Sequence, residues 1–321
     1  MSGRGPSGPG YRKEGFTEMK TAFLFAGQGS QAPGMAAELV EASPAAKRVF
    51  DCASDILHFD LLSACLHGTA EELAATTVAQ PAIMATSLAA LQCVREKGIE
   101  ASGVAGHSLG EYAAMVASGM LSMEDGFKLI AHRASAMGKV AEKGAGSMAA
   151  IMGLPAEEIA AVCEEVDGYV LPVNYNSTAQ TVIAGDAGAV AAACRKFTEM
   201  GKKAVPLKVA AAFHSALMQP AADEFYEAAK GFSFNPPALD FYSNLTGGLL
   251  ADFSDMPRYL ARHIVSPVRF TDELHAMQAA GYGRFIELGP GKTLTGLVKR
   301  TLKDVTAQNV ENAKTLEKVS E

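Results

Sequence analysis

The chain has 321 residues, 49% of them hydrophobic, a formal net charge of −7 and a pI near 5.6. These values exclude a disordered or fibrous protein and argue against a nucleic-acid binder, whose binding face carries a basic stripe. Five scattered cysteines, Cys52, Cys65, Cys93, Cys163 and Cys194, show no C-x-x-C spacing, so neither a disulfide framework nor a zinc site is expected and the thiols read as reduced, in a cytoplasmic protein.

In chain order, Met1 to Lys20 hold five glycines and two prolines without the apolar centre of a signal peptide. This stretch reads as a disordered leader over residues 1–20, with Met19 as an alternative start. Thr21 to Ala26 is a short apolar run that breaks at Gly27-Gln28-Gly29-Ser30, a first strand ending in a loop. Helical patterns follow over 36–57 and 80–97. Within the second, Thr86, Ser87 and Gln92 interrupt the apolar run from Pro81 to Val94, which falls short of the ~18 consecutive apolar residues of a membrane span and reads as a buried helix.

Gly106-His107-Ser108-Leu109-Gly110 follows the small apolar run Val104-Ala105 and precedes a helix-like run. That places Ser108 on a sharp strand-to-helix turn, a nucleophile elbow whose flanking glycines let other backbone pass close by. G-x-S-x-G arises by chance in roughly one chain in ten of this length, so its weight depends on whether a base, an oxyanion hole and a substrate anchor accompany it.

Between residues 146 and 209 the pattern changes to strand (Ser147 to Met152), helix (Pro155 to Val166), two strands (Tyr169 to Tyr175, Thr181 to Ala184), helix (Ala187 to Met200) and strand (Lys203 to Val209). This is the β-α-β-β-α-β order of a ferredoxin-like unit. The expected fold is therefore α/β: a hydrolase-like core with a mainly parallel sheet over 21–145 and 210–302, an inserted ferredoxin-like βαββαβ subdomain over 146–209, and a peripheral segment over 303–321. His214, in Phe213-His214-Ser215, lies where the chain returns from the insert to the core, at a domain seam that suits a ligand site. Of the other six histidines, His107 beside the elbow should point away from it.

The stretches Phe25-Ala26-Gly27-Gln28-Gly29-Ser30-Gln31, Gln80-Pro81-Ala82, Gly106-His107-Ser108-Leu109-Gly110-Glu111, Arg133, Asn174-Tyr175-Asn176-Ser177, Phe213-His214-Ser215 and Glu287-Leu288-Gly289-Pro290-Gly291-Lys292 together resemble the malonyl-CoA:acyl carrier protein transacylases, in that family's order, from about Thr21 to Arg300. The resemblance implies a ping-pong acyl transfer: Ser108 takes the malonyl group from CoA as an ester, and the phosphopantetheine thiol of acyl carrier protein removes it. His214 is the general base. The oxyanion would be held by the N–H of Leu109, supplied by the elbow, and by resemblance that of Gln28. Arg133 would grip the malonyl carboxylate bidentately. Gln80, Asn176 and Phe213 are substrate-binding by resemblance, the Phe213 ring leaving little room for an α-methyl branch. The family holds its histidine by a main-chain carbonyl from the segment matching Arg262 to Val268, assigned here to His263, where many members have glutamine; the His263 side chain is therefore expected to be dispensable.

No metal or cofactor is expected. The implied partners are malonyl-CoA and acyl carrier protein, with no nucleic acid and no membrane, for a monomer serving fatty acid biosynthesis. Docking an acidic carrier on an acidic chain needs a local basic patch, for which Lys202, Lys203, Lys208, Lys292, Lys299 and Arg300 are candidates. Two phosphate-binding patterns fail on inspection: Pro33-Gly34 interrupts the helix that Gly27-Gln28-Gly29-Ser30-Gln31-Ala32 would need, and Gly289-Pro290-Gly291-Lys292-Thr293 has Ile286 where a P-loop needs its first glycine. The alternatives are an acyl hydrolase or a polyketide-pathway acyltransferase on the same fold, or a catalytically silent carrier-binding module. Arg133 speaks against the hydrolase, and intact Ser108 and His214 against the silent module.

Overall fold

Two β-sheets organise the chain in a computed structural model that describes residues 19–209 and 211–320. The strands are β1 (Lys20–Phe25), β2 (Gly103–Gly106), β3 (Ser147–Met152), β4 (Val170–Ser177), β5 (Gln180–Gly185), β6 (Lys203–Pro206), β7 (Asp240–Ser243), β8 (Gly248–Leu249), β9 (Tyr282–Leu288) and β10 (Thr306–Val310). The larger sheet has the order β10-β9-β1-β2-β7-β8 and is parallel except for the β7–β8 hairpin. Its central strand is apolar on both faces: Ala22, Phe23, Leu24 and Phe25 are all buried, as a parallel strand covered by helices on either side requires.

The helix Thr76–Glu96 is buried almost all round and packs on the helices Pro44–Leu57 and Met123–Glu142. It is long and apolar enough to cross a membrane, but 83% of its apolar window is buried inside the fold. The helical pattern expected over 36–57 divides into Ala37–Ala42 and Pro44–Leu57. The break falls at Ser43, whose hydroxyl accepts from the N–H groups of Ala45 and Ala46, both at 3.1 Å, with proline at the first helical position.

The smaller sheet is antiparallel with the order β4-β5-β3-β6 and carries the helices Ala156–Glu164 and Ala187–Glu199. Their apolar sides and one face of the sheet form a separate core around Ile151, Ile159, Ile183 and Phe197. The chain enters and leaves this unit side by side, the Ala212 N–H donating to the Ala145 carbonyl at 2.9 Å. Edge strand β4 is tied to the larger unit by two main-chain bonds, Tyr175 N–H to the Val268 carbonyl at 2.9 Å and Val268 N–H to the Val173 carbonyl at 2.8 Å.

Two terminal expectations need comment. The leader expected over 1–20 lies outside the described residues except for Met19 and Lys20, and Lys20 already opens β1. The segment 303–321, expected to be peripheral, instead extends the sheet as its edge strand β10 and closes with the helix Ala313–Ser320. Val310, Leu316 and Val319 hold it down, all three buried in the main core.

Candidate active site

Strands β1 and β2 are parallel neighbours with Phe25 opposite Gly106, so the loops leaving their carboxyl ends meet. Open α/β sheets gather ligand sites at such ends. Ser108 sits between β2 and the helix Gly110–Ala117 with φ of 55°, a left-handed conformation rarely tolerated outside glycine. A strained residue of this kind costs about 1–3 kcal/mol and persists only where its surroundings over-determine it. The surroundings are tight: a Cβ on Gly106 would lie 2.0 Å from the Gly110 carbonyl carbon, and one on Gly110 would lie 2.2 Å from the Phe25 oxygen. Glycine at both positions is a steric requirement of the elbow.

His214 follows the return from the smaller unit, also left-handed at φ of 62°. Its Nε2 lies 2.7 Å from Ser108 Oγ, and its Nδ1 is 3.1 Å from both the His263 and the Ser266 carbonyl oxygens. Carbonyls only accept, so Nδ1 carries the hydrogen and Nε2 presents a lone pair to the serine hydroxyl. Burial, then the neighbouring Arg133 and His107, push the His214 pKa down to about 3. The imidazole is thus neutral, as a proton acceptor must be.

Arg133, on the helix Met123–Glu142, is 1% exposed. Its Nη2 donates to Ser108 Oγ at 3.1 Å and its Nη1 to Gln80 Oε1 at 2.7 Å; its Nε has no partner among the described residues. It forms no ion pair there either. A buried guanidinium held by neutral groups, with one donor unpartnered among the described residues, can take up an anion.

A cavity of about 350 Å³ opens above these groups, lined by Gln28, Ser108, Met137, Lys208, Phe213 and His214 among others. A second cavity adjoins it and shares Gln28, Lys208 and Phe213. Ser108 spends its own N–H on Asn244 Oδ1 at 2.8 Å. The N–H groups of Gln28 and Leu109 donate to no described residue, which leaves them available to an oxyanion.

The remaining residues singled out by sequence divide. Gln80 reaches the site through Arg133, whose orientation it fixes. Phe213 faces the cavity. Asn176 does not: its Oδ1 lies 2.8 Å from His107 Nε2, and it is the His107 ring, expected to point away from the elbow, that lines the cavity, as does Asn174 with its own Oδ1 unpartnered among the described residues. Strand alternation explains the pair, since residues two apart share a face but diverge where β4 bulges between Tyr175 and Ser177. The Gly289 turn, compared above with a P-loop, has its helix N-terminus filled by Glu287, which accepts from the Leu294 and Thr295 N–H groups at 3.0 and 2.7 Å.

Sequence reading missed Asn244 and the buried carboxyls Glu111 and Glu273, and within the segment 262–268 it picked the His263 carbonyl where that of Ser266 contributes equally. Glu111 stood inside the Gly106-to-Glu111 motif, and burial raises its pKa to about 8. Asn244 follows β7 at the carboxyl edge of the sheet, a position signal that carries no residue pattern of its own. The His263 side chain, expected to be dispensable, is fully buried with its Nε2 3.0 Å from Asn244 Oδ1.

The family model for the acyl transferase domain matches residues 22–320. The malonyl CoA-acyl carrier protein transacylase of Bacillus subtilis (strain 168) is 41% identical over 302 residues, covering 93% of this chain and 95% of that protein. Among solved structures, the acyl-carrier-protein S-malonyltransferase of Burkholderia pseudomallei 1710b superposes with a TM-score of 0.90 at 37% identity, covering 94% of this chain and 99% of the other. A malonyl-transacylase solved in complex with its type II polyketide-synthase acyl-carrier protein gives a TM-score of 0.89 at 37% identity, covering 93% and 98%.

Proposed function

Because the chain belongs to the acyl transferase family, we propose that the Ser108–His214–Arg133 constellation is its catalytic centre. The enzyme is an acyltransferase that moves a malonyl group from malonyl-CoA to acyl carrier protein, an extender-unit step of fatty acid synthesis. The observation that carries the assignment of roles is the buried Arg133, without an acidic side-chain partner among the described residues and in hydrogen-bond contact with Ser108 Oγ. A generic serine acyltransferase has no use for an unneutralised cation at its nucleophile.

In the first half-reaction, Ser108 Oγ attacks the thioester carbonyl as its proton passes to His214 Nε2. The tetrahedral oxyanion is met by the N–H groups of Gln28 and Leu109, which donate to no described residue. Collapse breaks the C–S bond, and the CoA thiolate leaves with the proton from His214. The Arg133 edge formed by Nε and Nη2 holds the malonyl carboxylate, with Nη2 released from Ser108 Oγ once that oxygen is esterified. In the second half, the phosphopantetheine thiol gives its proton to His214, attacks the malonyl-serine ester through the same oxyanion, and Ser108 recovers the proton on release.

His214 is oriented by the His263 and Ser266 carbonyls in place of a carboxylate. Gln80 acts through Arg133, Asn176 through His107, and Phe213 narrows the cavity against α-branched acyl groups. Lys208, at the rim common to both cavities, is the member of the basic set nearest the chemistry and the proposed first contact for the carrier's phosphate.

The same reading treats residues 146–209 as a ferredoxin-like subdomain set into a hydrolase-like core, supported by its strand order, its own core and its adjacent entry and exit. The enzyme acts as a cytoplasmic monomer without nucleic-acid or membrane partners, a reading supported by its unpaired cysteines and acidic charge. The test is intact mass after brief exposure to malonyl-CoA. The wild type should gain one malonyl group that acyl carrier protein removes, and Ser108→Ala should gain none. A malonylated Ser108→Ala protein would overturn the assignment.

A further inference from the structure

We infer that Asn244 is a positioning residue for both halves of the catalytic pair: it straps the left-handed Ser108 turn and fixes the His263 segment whose carbonyl orients His214. The inference rests on Ser108 and His214 being nucleophile and base.

The carboxamide is fully buried and uses every valence it has. Oδ1 accepts from the Ser108 N–H at 2.8 Å and from His263 Nε2 at 3.0 Å; Nδ2 donates to the Gly106 carbonyl at 2.7 Å and to Glu273 Oε1 at 2.6 Å. Its main chain is equally committed, the N–H to Glu111 Oε1 at 2.6 Å and the carbonyl to the Arg269 N–H at 3.0 Å. The orientation of the amide is not free. A main-chain N–H can only donate and a main-chain carbonyl can only accept, so Ser108 and Gly106 together assign oxygen to one side and nitrogen to the other. His263 must then donate from Nε2, which sets its tautomer.

Two consequences follow for the chemistry. Gly106 and Ser108 flank the sharpest point of the elbow, and one side chain binds the carbonyl before it and the N–H within it. That contact opposes relaxation of the φ of 55° at Ser108. The same oxygen holds the His263 ring, and the His263 carbonyl holds His214 Nδ1. Nucleophile and base are therefore registered against each other through one buried amide, one hydrogen bond from the serine backbone and one residue from the histidine's acceptor. No apolar replacement can do this, because leucine of similar size would strand the Ser108 N–H and the Gly106 carbonyl without partners.

The experiment uses the full-length enzyme with Asn244→Ala and Asn244→Asp, rapid mixing with malonyl-CoA, and readout of both the amplitude and the rate constant of acylation, beside KM for malonyl-CoA. A positioning role predicts full amplitude with the rate constant lowered about ten- to a hundredfold, the scale on which sub-ångström misplacement acts, and KM changed less than about twofold because Arg133 and the cavity are untouched. A merely structural role predicts reduced amplitude from a smaller folded fraction and an unchanged rate constant in what remains; that result, an unchanged rate in both variants, or failure of both to fold would overturn the inference. Ser108→Ala run in parallel keeps the two readings apart: if it still takes malonyl, the nucleophile assignment fails whatever Asn244 does.

Discussion

Replacing Arg133 with alanine separates a malonyl enzyme from a serine acyltransferase of no particular specificity. In the free enzyme the guanidinium spends Nη1 on Gln80 and Nη2 on Ser108 Oγ, and Nε is unpartnered. A malonyl carboxylate would take Nη2 and Nε as two charge-assisted hydrogen bonds, each contributing about 1.5–3 kcal/mol. At about 1.4 kcal/mol per tenfold, loss of both lowers kcat/KM for malonyl-CoA by about 10²- to 10⁴-fold. Acetyl-CoA has no carboxylate to strand and should lose little.

One complication can be removed by choice of pH. Arg133 also helps to hold the His214 pKa down, so removing the cation raises it. At pH 8 His214 is neutral in either protein and the base is not limiting. The assay is steady-state kcat/KM at pH 8 with malonyl-CoA and acetyl-CoA on wild type and Arg133→Ala. Equal losses on both substrates would refute the reasoning, because they would show that Arg133 supports the elbow and reads no carboxylate.

Three further outcomes are expected. With the His214 pKa at about 3, its neutral form persists as pH falls, so the acid limb of kcat/KM for acylation should lie well below the ordinary histidine value of about 6.5, and Arg133→Ala should move that limb upward; a wild-type limb at 6.5 would contradict the buried geometry. Arg133→Met should leave the thermal midpoint equal to or above wild type while abolishing malonyl selectivity, since an unpaired buried cation is replaced by an apolar chain; a clear fall in midpoint by calorimetry would show that the Gln80 and Ser108 contacts outweigh desolvation. His263→Gln should keep most activity, because a glutamine amide can still donate to Asn244 Oδ1, whereas His263→Leu should slow acylation; equal rates for the two would make the side chain irrelevant.

What could be read from sequence was what the chain writes contiguously. The Ser108 elbow, the loop after β1 and the order of elements over 146–209 are local patterns, and each is visible because turn sterics or period-two burial dictates neighbouring residues. Strand order is not of that kind: β7 and β9 flank the β1–β2 pair from more than a hundred residues away in sequence. For the same reason Asn244 was illegible, since its role comes from where separate segments dock. Asn176 was misplaced and Asn174 overlooked because a bulge in β4 decides which side chain reaches the cavity. The segment 303–321 looked merely polar because its three anchoring residues are spread over ten positions, among charged neighbours.

The electrostatic arrangement explains why this site dispenses with the acidic member of a hydrolase triad. Burial pushes His107, His214 and His263 down and Glu111 and Glu273 up, driving each toward its neutral form. Arg133 cannot follow, since a guanidinium keeps its proton, and it is left as an uncompensated charge in a medium that screens poorly. An ionised aspartate on His214 would raise the histidine's pKa and offer Arg133 an internal counter-ion within the same buried cluster. The first would cost the neutral imidazole its readiness as a base, and the second would weaken the pull on a malonyl carboxylate. Two main-chain carbonyls set the imidazole tautomer equally well and bring no net charge, so that, on the proposed assignment of Arg133, the substrate's own anion would be the group that neutralises the site.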